Sequence, residues 1–91
     1  MVLMMSLERI FLDTRNLLCP LPLIRLQDCT TRLTGPALIE MKATDPGVLQ
    51  DIPMWCQMYG HTILKSVEDE NTHEITLLIH AGTTGYTGSI S

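Results

Sequence analysis

One short stretch of this sequence holds residue types that could do covalent chemistry. It is Leu17-Leu18-Cys19-Pro20-Leu21-Pro22, a thiol set directly before two prolines one residue apart. Neither proline supplies a backbone N–H, so the pair cannot sit inside a strand ladder or a helix interior. Proline is accepted at the first helical position, where the missing donor would have been unpaired in any case. The residue before a proline is driven toward extended geometry, the backbone shape of an N-cap. The pattern therefore predicts a helix beginning at Pro20 and capped by Cys19, with the sulfur beside the positive end of the helix dipole. That placement favours thiolate. Of the first four helical amides, only those of Leu21 and Leu23 remain to face the sulfur. The expectation is a moderately activated thiol. Its pKa should lie below the ordinary value of about 8.5 but well above about 3.5, where the most acidic helix-cap thiols fall.

No second reactive group joins this thiol by spacing alone. Cys19, Cys29 and Cys56 form no CxxC or Cys/His ligand pattern, and three is an odd count, so neither a structural disulfide nor a metal site is expected. His61, His73 and His80 are scattered, without metal-ligand spacing. Cys29 flanks the buried face of the first helix and reads as structural. Cys56 falls at the edge of an apolar helical stripe, where cysteine behaves as a small hydrophobe; the competing reading makes it an accessory or resolving thiol. Asp13 reads as a turn residue that hydrogen-bonds the backbone just ahead of the thiol. Arg15 and Arg25 read either as solvated surface charges or as suppliers of the positive field that the missing amides withhold.

The elements that must position the thiol follow from periodicity. Glu8 to Asp13 reads as a first strand, and Thr14-Arg15-Asn16 turns the chain, Asn16 tolerating left-handed geometry. The helix from Pro20 to about Leu33 places Leu23, Leu26, Thr30 and Leu33 on one face. The opposite face carries Leu21, Ile24, Arg25, Asp28 and Arg32. Leu21, Ile24 and Arg25, nearest the thiol, form a candidate patch for docking a partner; Met54 and Met58 on the second helix are the alternative place. Ala37 to Ala43 alternates as a half-buried strand with Ala37, Ile39, Met41 and Ala43 inward. Asp45 as cap and Pro46 as first residue start a second helix to about Tyr59, whose apolar stripe is Val48, Ile52, Trp55, Cys56 and Tyr59. Pro53 inside it predicts a kink or a restart, and Gly60 ends it. His61 to Glu68 and Glu74 to His80 are two more strands. The order β-α-β-α-β-β, with right-handed crossovers, predicts an α/β (α+β) two-layer sandwich: a mixed four-stranded sheet with both helices on one face. Leu38, Leu64 and Leu78 would lie on the other face, a hint of association.

Composition limits the function classes. The chain has 91 residues, 45% hydrophobic and 18% charged, with a net charge of -4. That is one globular domain rather than a disordered chain, and the charge argues against direct nucleic-acid binding. The expected domain spans residues 8–80, between an apolar lead (1–7) and a Gly/Thr-rich tail (81–91) expected to be mobile. The lead lacks the features of a signal peptide and no window is long enough to span a bilayer, so a reducing, cytoplasmic location is expected.

The run Leu12-Asp13-Thr14-Arg15-Asn16-Leu17-Leu18-Cys19-Pro20-Leu21-Pro22 resembles the signature of the TusA/SirA family of sulfur-carrier proteins. The likeness continues through Asp45-Pro46, Asp51-Ile52-Pro53, Trp55-Cys56 and Gly60-His61, roughly residues 8 to 80. The family usually has glycine where Asn16 stands and often phenylalanine at Trp55. The resemblance implies the same βαβαββ sandwich, with Cys19 at the CPxP motif carrying sulfur as a persulfide between a donor and an acceptor. The donor would be a cysteine desulfurase or a rhodanese-type protein, and the acceptor a sulfur-relay protein. Transfer-RNA thiolation, molybdenum-cofactor supply and sulfur oxidation are the relays it leaves open. Such a carrier needs no cofactor beyond the covalent persulfide, and acts as a sulfurtransferase without being a multiple-turnover enzyme. The rivals are a regulatory or interaction module in which Cys19 only caps a helix, and a redox-sensing thiol paired with Cys56.

Overall fold

The computed structural model describes residues 8–82; the apolar lead and residues 83–91 of the expected tail lie outside them. The elements are β1 (Glu8–Thr14), α1 (Leu21–Thr31), β2 (Ala37–Ala43), α2 (Val48–Tyr59), β3 (Thr62–Glu68) and β4 (Ile75–Ala81). They build the expected mixed sheet, in the order β1-β2-β4-β3. β1 runs parallel to β2, because α1 carries the chain back to the starting edge. The β2–β4 and β4–β3 pairs are antiparallel.

Strict alternation sorts each strand between two faces. In register, Ile10, Ile39, Ile79 and Ile63 form one inward row and Leu12, Met41 and Leu77 the next. Leu26 of α1 and Val48, Ile52, Trp55 and Cys56 of α2 close over these rows to make one buried core. Each fully buried aliphatic side chain contributes about 1.5–3 kcal/mol. The opposite face carries the rows Arg9–Leu38–His80–Thr62 and Phe11–Glu40–Leu78–Lys65, where aliphatic and charged side chains alternate across strands. Leu64 sits at a bulge between Ile63 and Lys65 and is exposed, as is Phe11.

Several boundaries differ from the sequence reading, each for a local reason. The first helix begins at Leu21, not Pro20. The Leu21 N–H closes a turn onto the Leu18 carbonyl at 2.9 Å, which puts Cys19 and Pro20, joined by a cis peptide, at the centre of that turn. Pro20 is then the N-cap, and its carbonyl accepts from Ile24 at 3.0 Å. The helix ends at Thr31 because its last turn tightens, Leu33 N–H reaching the Thr30 carbonyl at 3.2 Å. In the second helix the cap is Gly47, and Asp45 and Pro46 form the tight turn before it. Of the kink or restart expected at Pro53, the restart does not occur: one helix runs through it, and the donor it lacks would have met the carbonyl of Leu49, a residue on the exposed side. Tyr59, expected on the buried stripe, is exposed and leans on Trp55 at 5.8 Å. β4 extends through Ala81, which is buried and so belongs to the sheet rather than to the tail. Gly60 ends α2 in the left-handed region (φ 80°), as its position predicts.

Candidate functional site

Cys19 lies in the loop between β1 and α1, at the end of the sheet where β1 and β2 both finish. Three hydrogen bonds tie this loop to its neighbours. Thr14, buried at the edge of the core, donates its hydroxyl to the Lys42 carbonyl at 2.6 Å, joining the ends of β1 and β2. Asn16 takes the left-handed conformation (φ 70°), and its backbone N–H donates to Thr44 Oγ1 at 2.8 Å. The backbone N–H of Cys19 donates to Asp45 Oδ2 at 2.6 Å, while Asp45 Oδ1 accepts from the Gly47 N–H at 3.1 Å. One carboxylate thus fixes both the thiol-bearing loop and the turn that starts α2. These two amides hold the Asp45 carboxyl below its usual pKa.

The sulfur itself faces α2. Cys19 Sγ–H donates to Asp51 Oδ2 at 3.0 Å. No side chain separates it from the start of that helix, since a Cβ on Gly47 would come within 3.1 Å of Sγ. This arrangement corrects two expectations. Cys19 caps nothing: it precedes the Pro20 N-cap, and no side chain caps α1. The thiol is also not acidified. Its pKa is pushed up to about 11, first by its hydrogen bond to Asp51, then by desolvation and by the negative charges of Asp51 and Asp45.

The proposed cations do not offset those charges. Arg15 forks onto Asp13, Nε to Oδ1 and Nη2 to Oδ2 both at 2.9 Å, and reaches Glu74 Oε2 at 3.2 Å. Asp13 also accepts the Arg15 backbone N–H at 3.0 Å, which closes the turn ahead of the thiol. The guanidinium holds the Asp13 carboxyl down to about 2. Arg25 lines a groove between α1 and β1 together with Asp28, Cys29 and Arg32. The charges that shift Cys19 are both negative, so neither arginine supplies a thiolate field.

The remaining singled-out residues separate into core and surface. Pro22 is fully buried and Pro20 exposed. Cys56 is buried in the α2 face of the core, where desolvation pushes its thiol up to about 11. Leu21 and Ile24 are exposed on α1, as are Met54 and Met58 on α2. Leu18, beside the thiol and 72% exposed, belongs with the first pair, although the sequence reading leaves it out. That reading also leaves Asp45 and Asp51 out of the site. Their signals in the sequence are the runs Asp45-Pro46 and Asp51-Ile52-Pro53, of which the first reads as a helix start; contact with a residue 26 or 32 positions away is not visible in spacing. Among the described residues no group of three or more His, Cys, Asp or Glu side chains could hold a metal. No helix there is long and apolar enough to cross a membrane.

Known proteins share this chain's pattern. A model of the family described as sulfurtransferase TusA matches residues 10–79. The sulfur carrier protein TusA of Pseudomonas putida is 38% identical over 61 residues, which is 67% of this chain and 76% of that protein. The sulfur carrier protein TusA of Pseudomonas aeruginosa is 34% identical over 62 residues, 68% of this chain and 78% of that one. In three dimensions the fold is similar to the crystal structure of a SirA-like protein from Desulfitobacterium hafniense. The TM-score is 0.70 at 22% identity, over 80% of this chain and 97% of that one.

Proposed function

The chain belongs to the sulfurtransferase TusA family, and from that membership we propose that it carries sulfane sulfur as a persulfide on Cys19. The observation that supports this assignment most directly is the placement of the thiol. Cys19 is the one cysteine set in a loop at an open end of the sheet, while Cys56 is in the core and Cys29 packs against it. Passing a sulfur between proteins requires a thiol that another active site can reach. The transfer is a thiolate attack on the outer sulfur of a persulfide, and an exchange of this kind needs no metal or redox cofactor.

The donor under this reading is a protein persulfide of the cysteine desulfurase or rhodanese type, and the acceptor is another thiol protein of a sulfur relay. Leu18, Leu21 and Ile24 supply exposed apolar anchors around the thiol, with Arg25 as a charge at their edge. Such a patch suits a brief encounter, in which charge sets orientation and a few apolar contacts hold the pair.

Loading tests the reading. The protein is incubated with a cysteine desulfurase and cysteine, trapped with an alkylating agent and weighed intact. A gain of one sulfur on wild type and none on Cys19→Ser is the expected result. Sulfur on the serine variant, or none on wild type, would reject it.

A further inference from the structure

The Sγ–H···Asp51 contact exists only while Cys19 is a thiol. We propose that Asp51 retains the unloaded Cys19 side chain against α2, accepts its proton when sulfur is taken up, and releases the side chain once it is a persulfide. The proposal rests on the carrier reading of Cys19 and adds to it a residue and a movement.

Three observations lead to it. The hydrogen bond at 3.0 Å uses the Sγ proton as donor, and Asp51 Oδ2 is the acceptor. After loading, Sγ bears a second sulfur in place of that proton, so the bond cannot re-form. The outer sulfur of a persulfide is also more acidic than the parent thiol, and its anion would lie beside two carboxylates, Asp51 and Asp45. Like charges at this range repel. The two nearby arginines do not relieve that repulsion: Arg15 is turned to Asp13 and Glu74, and Arg25 lies in the α1–β1 groove with Asp28 and Arg32. Finally, Asp45 holds the Cys19 backbone N–H at 2.6 Å whatever the side chain carries. The backbone is thereby a fixed pivot, and the movement is a rotation of one side chain.

The transfer balances without an added oxidant. Cys19 Sγ attacks the outer sulfur of the donor persulfide, forming the new Sγ–S bond. The donor's own S–S bond breaks and its inner sulfur leaves as a thiolate. The Sγ proton passes to Asp51 Oδ2 and on to that leaving thiolate. One thiol and one persulfide become one persulfide and one thiol.

The raised thiol pKa agrees with this geometry and supplies the readout. The rate of iodoacetamide alkylation of Cys19 is followed against pH in the Cys29→Ser/Cys56→Ala background, with and without the further change Asp51→Asn. The variant is isosteric; Asp51→Ser repeats the test should the amide disturb the helix, and far-UV circular dichroism checks both. Loss of the carboxylate is expected to bring the thiol from about 11 toward the ordinary value of about 8.5, so that alkylation at pH 8 rises at least tenfold. Loading with inorganic tetrasulfide then gives the second arm. With Asp51 present, the loaded protein should be alkylated far faster than the unloaded one; in the Asp51→Asn variant that difference should shrink to what the greater acidity of a persulfide gives by itself, and a difference as large as with Asp51 present would overturn the release step. An unchanged thiol pKa in both variants overturns the role of Asp51. A lowered pKa with no sulfur gained by Cys19 from tetrasulfide overturns the carrier reading and the release step together, and leaves only the hold on the thiol.

Discussion

Asp45 and Cys19, twenty-six positions apart in the chain, are joined by the Cys19 backbone N–H donating to Asp45 Oδ2 at 2.6 Å. Because Oδ1 of the same carboxylate takes the Gly47 N–H, the thiol loop and the start of α2 cannot move independently. Asp45→Ala strands both amides. It should lower the melting temperature by several degrees, and it should speed hydrogen exchange at Cys19 and Gly47 above the rest of the sheet, measured by NMR. Exchange at those two amides matching wild type would show that the tether contributes nothing.

The next expectation separates the loop thiol from the core thiol. Cys19→Ser should fold as wild type and gain no sulfur from a desulfurase. Cys56→Ala should load normally and lose on the order of 1 kcal/mol, the usual cost of trimming a small buried side chain, read from urea unfolding. Loss of loading in Cys56→Ala at unchanged stability would return that thiol to the mechanism.

Docking is tested by giving the same carrier a protein partner and a small-molecule donor. Leu21→Glu and Arg25→Glu should each slow sulfur transfer between proteins several-fold while leaving tetrasulfide loading of Cys19 near wild type, because the thiol is held by Asp51 and lies against Gly47. Equal slowing of both reactions would indicate altered thiol reactivity. No slowing in either would move the docking surface to α2, around Met54 and Met58.

Stability should fall at alkaline pH. Folding raises the Cys19 and Cys56 pKa values from the ordinary thiol range to about 11. A raised acid pKa means the unfolded chain releases its protons first, so the stability these groups contribute is intact below about pH 9 and lost as pH climbs toward 11. The urea midpoint should decline across that window, and less steeply in Cys56→Ala. Asp13 acts at the other end: its carboxyl, held down to about 2 by Arg15, costs stability as pH drops from about 4 toward 2.

Asn16 gives a backbone test. Its φ of 70° is a conformation that asparagine visits and alanine resists, by about 1–2 kcal/mol. Asn16→Ala should lose stability of that order, and Asn16→Gly should stay near wild type. Equal losses in both variants would point to the Asn16 side chain rather than its backbone.

The fold is legible in the sequence because its signals are local. Ala37–Ala43 alternates without exception and is the strand observed, and Gly60 marks the end of α2 at the residue where the chain turns left-handed. Boundaries differ where prolines offer two readings: Pro20 is the cap rather than the first helical residue, and Pro46 precedes its helix. The site is half legible. The thiol and its motif stand in one continuous run, whereas its electrostatics come from Asp45 and Asp51 across the fold. Counting helix amides around Cys19 predicts acidification; the thiol instead precedes the helix cap and meets Asp51 at 3.0 Å, and that contact, with desolvation and Asp45, raises its pKa.

Trp55 is the one tryptophan of the chain, and its indole lies stacked on His61, with ring centroids 4.8 Å apart and planes 29° apart. It therefore serves as a built-in lamp one turn along α2 from Asp51. An imidazolium in ring contact dims indole emission, so fluorescence should fall as acid protonates His61, whose pKa is lowered by burial and by His80. Tyr59, 5.8 Å away, passes its excitation to the same ring. Emission from this trio reports whether α2 and the loop after it are seated on the sheet, in unlabelled protein, while sulfur is loaded and removed at Cys19.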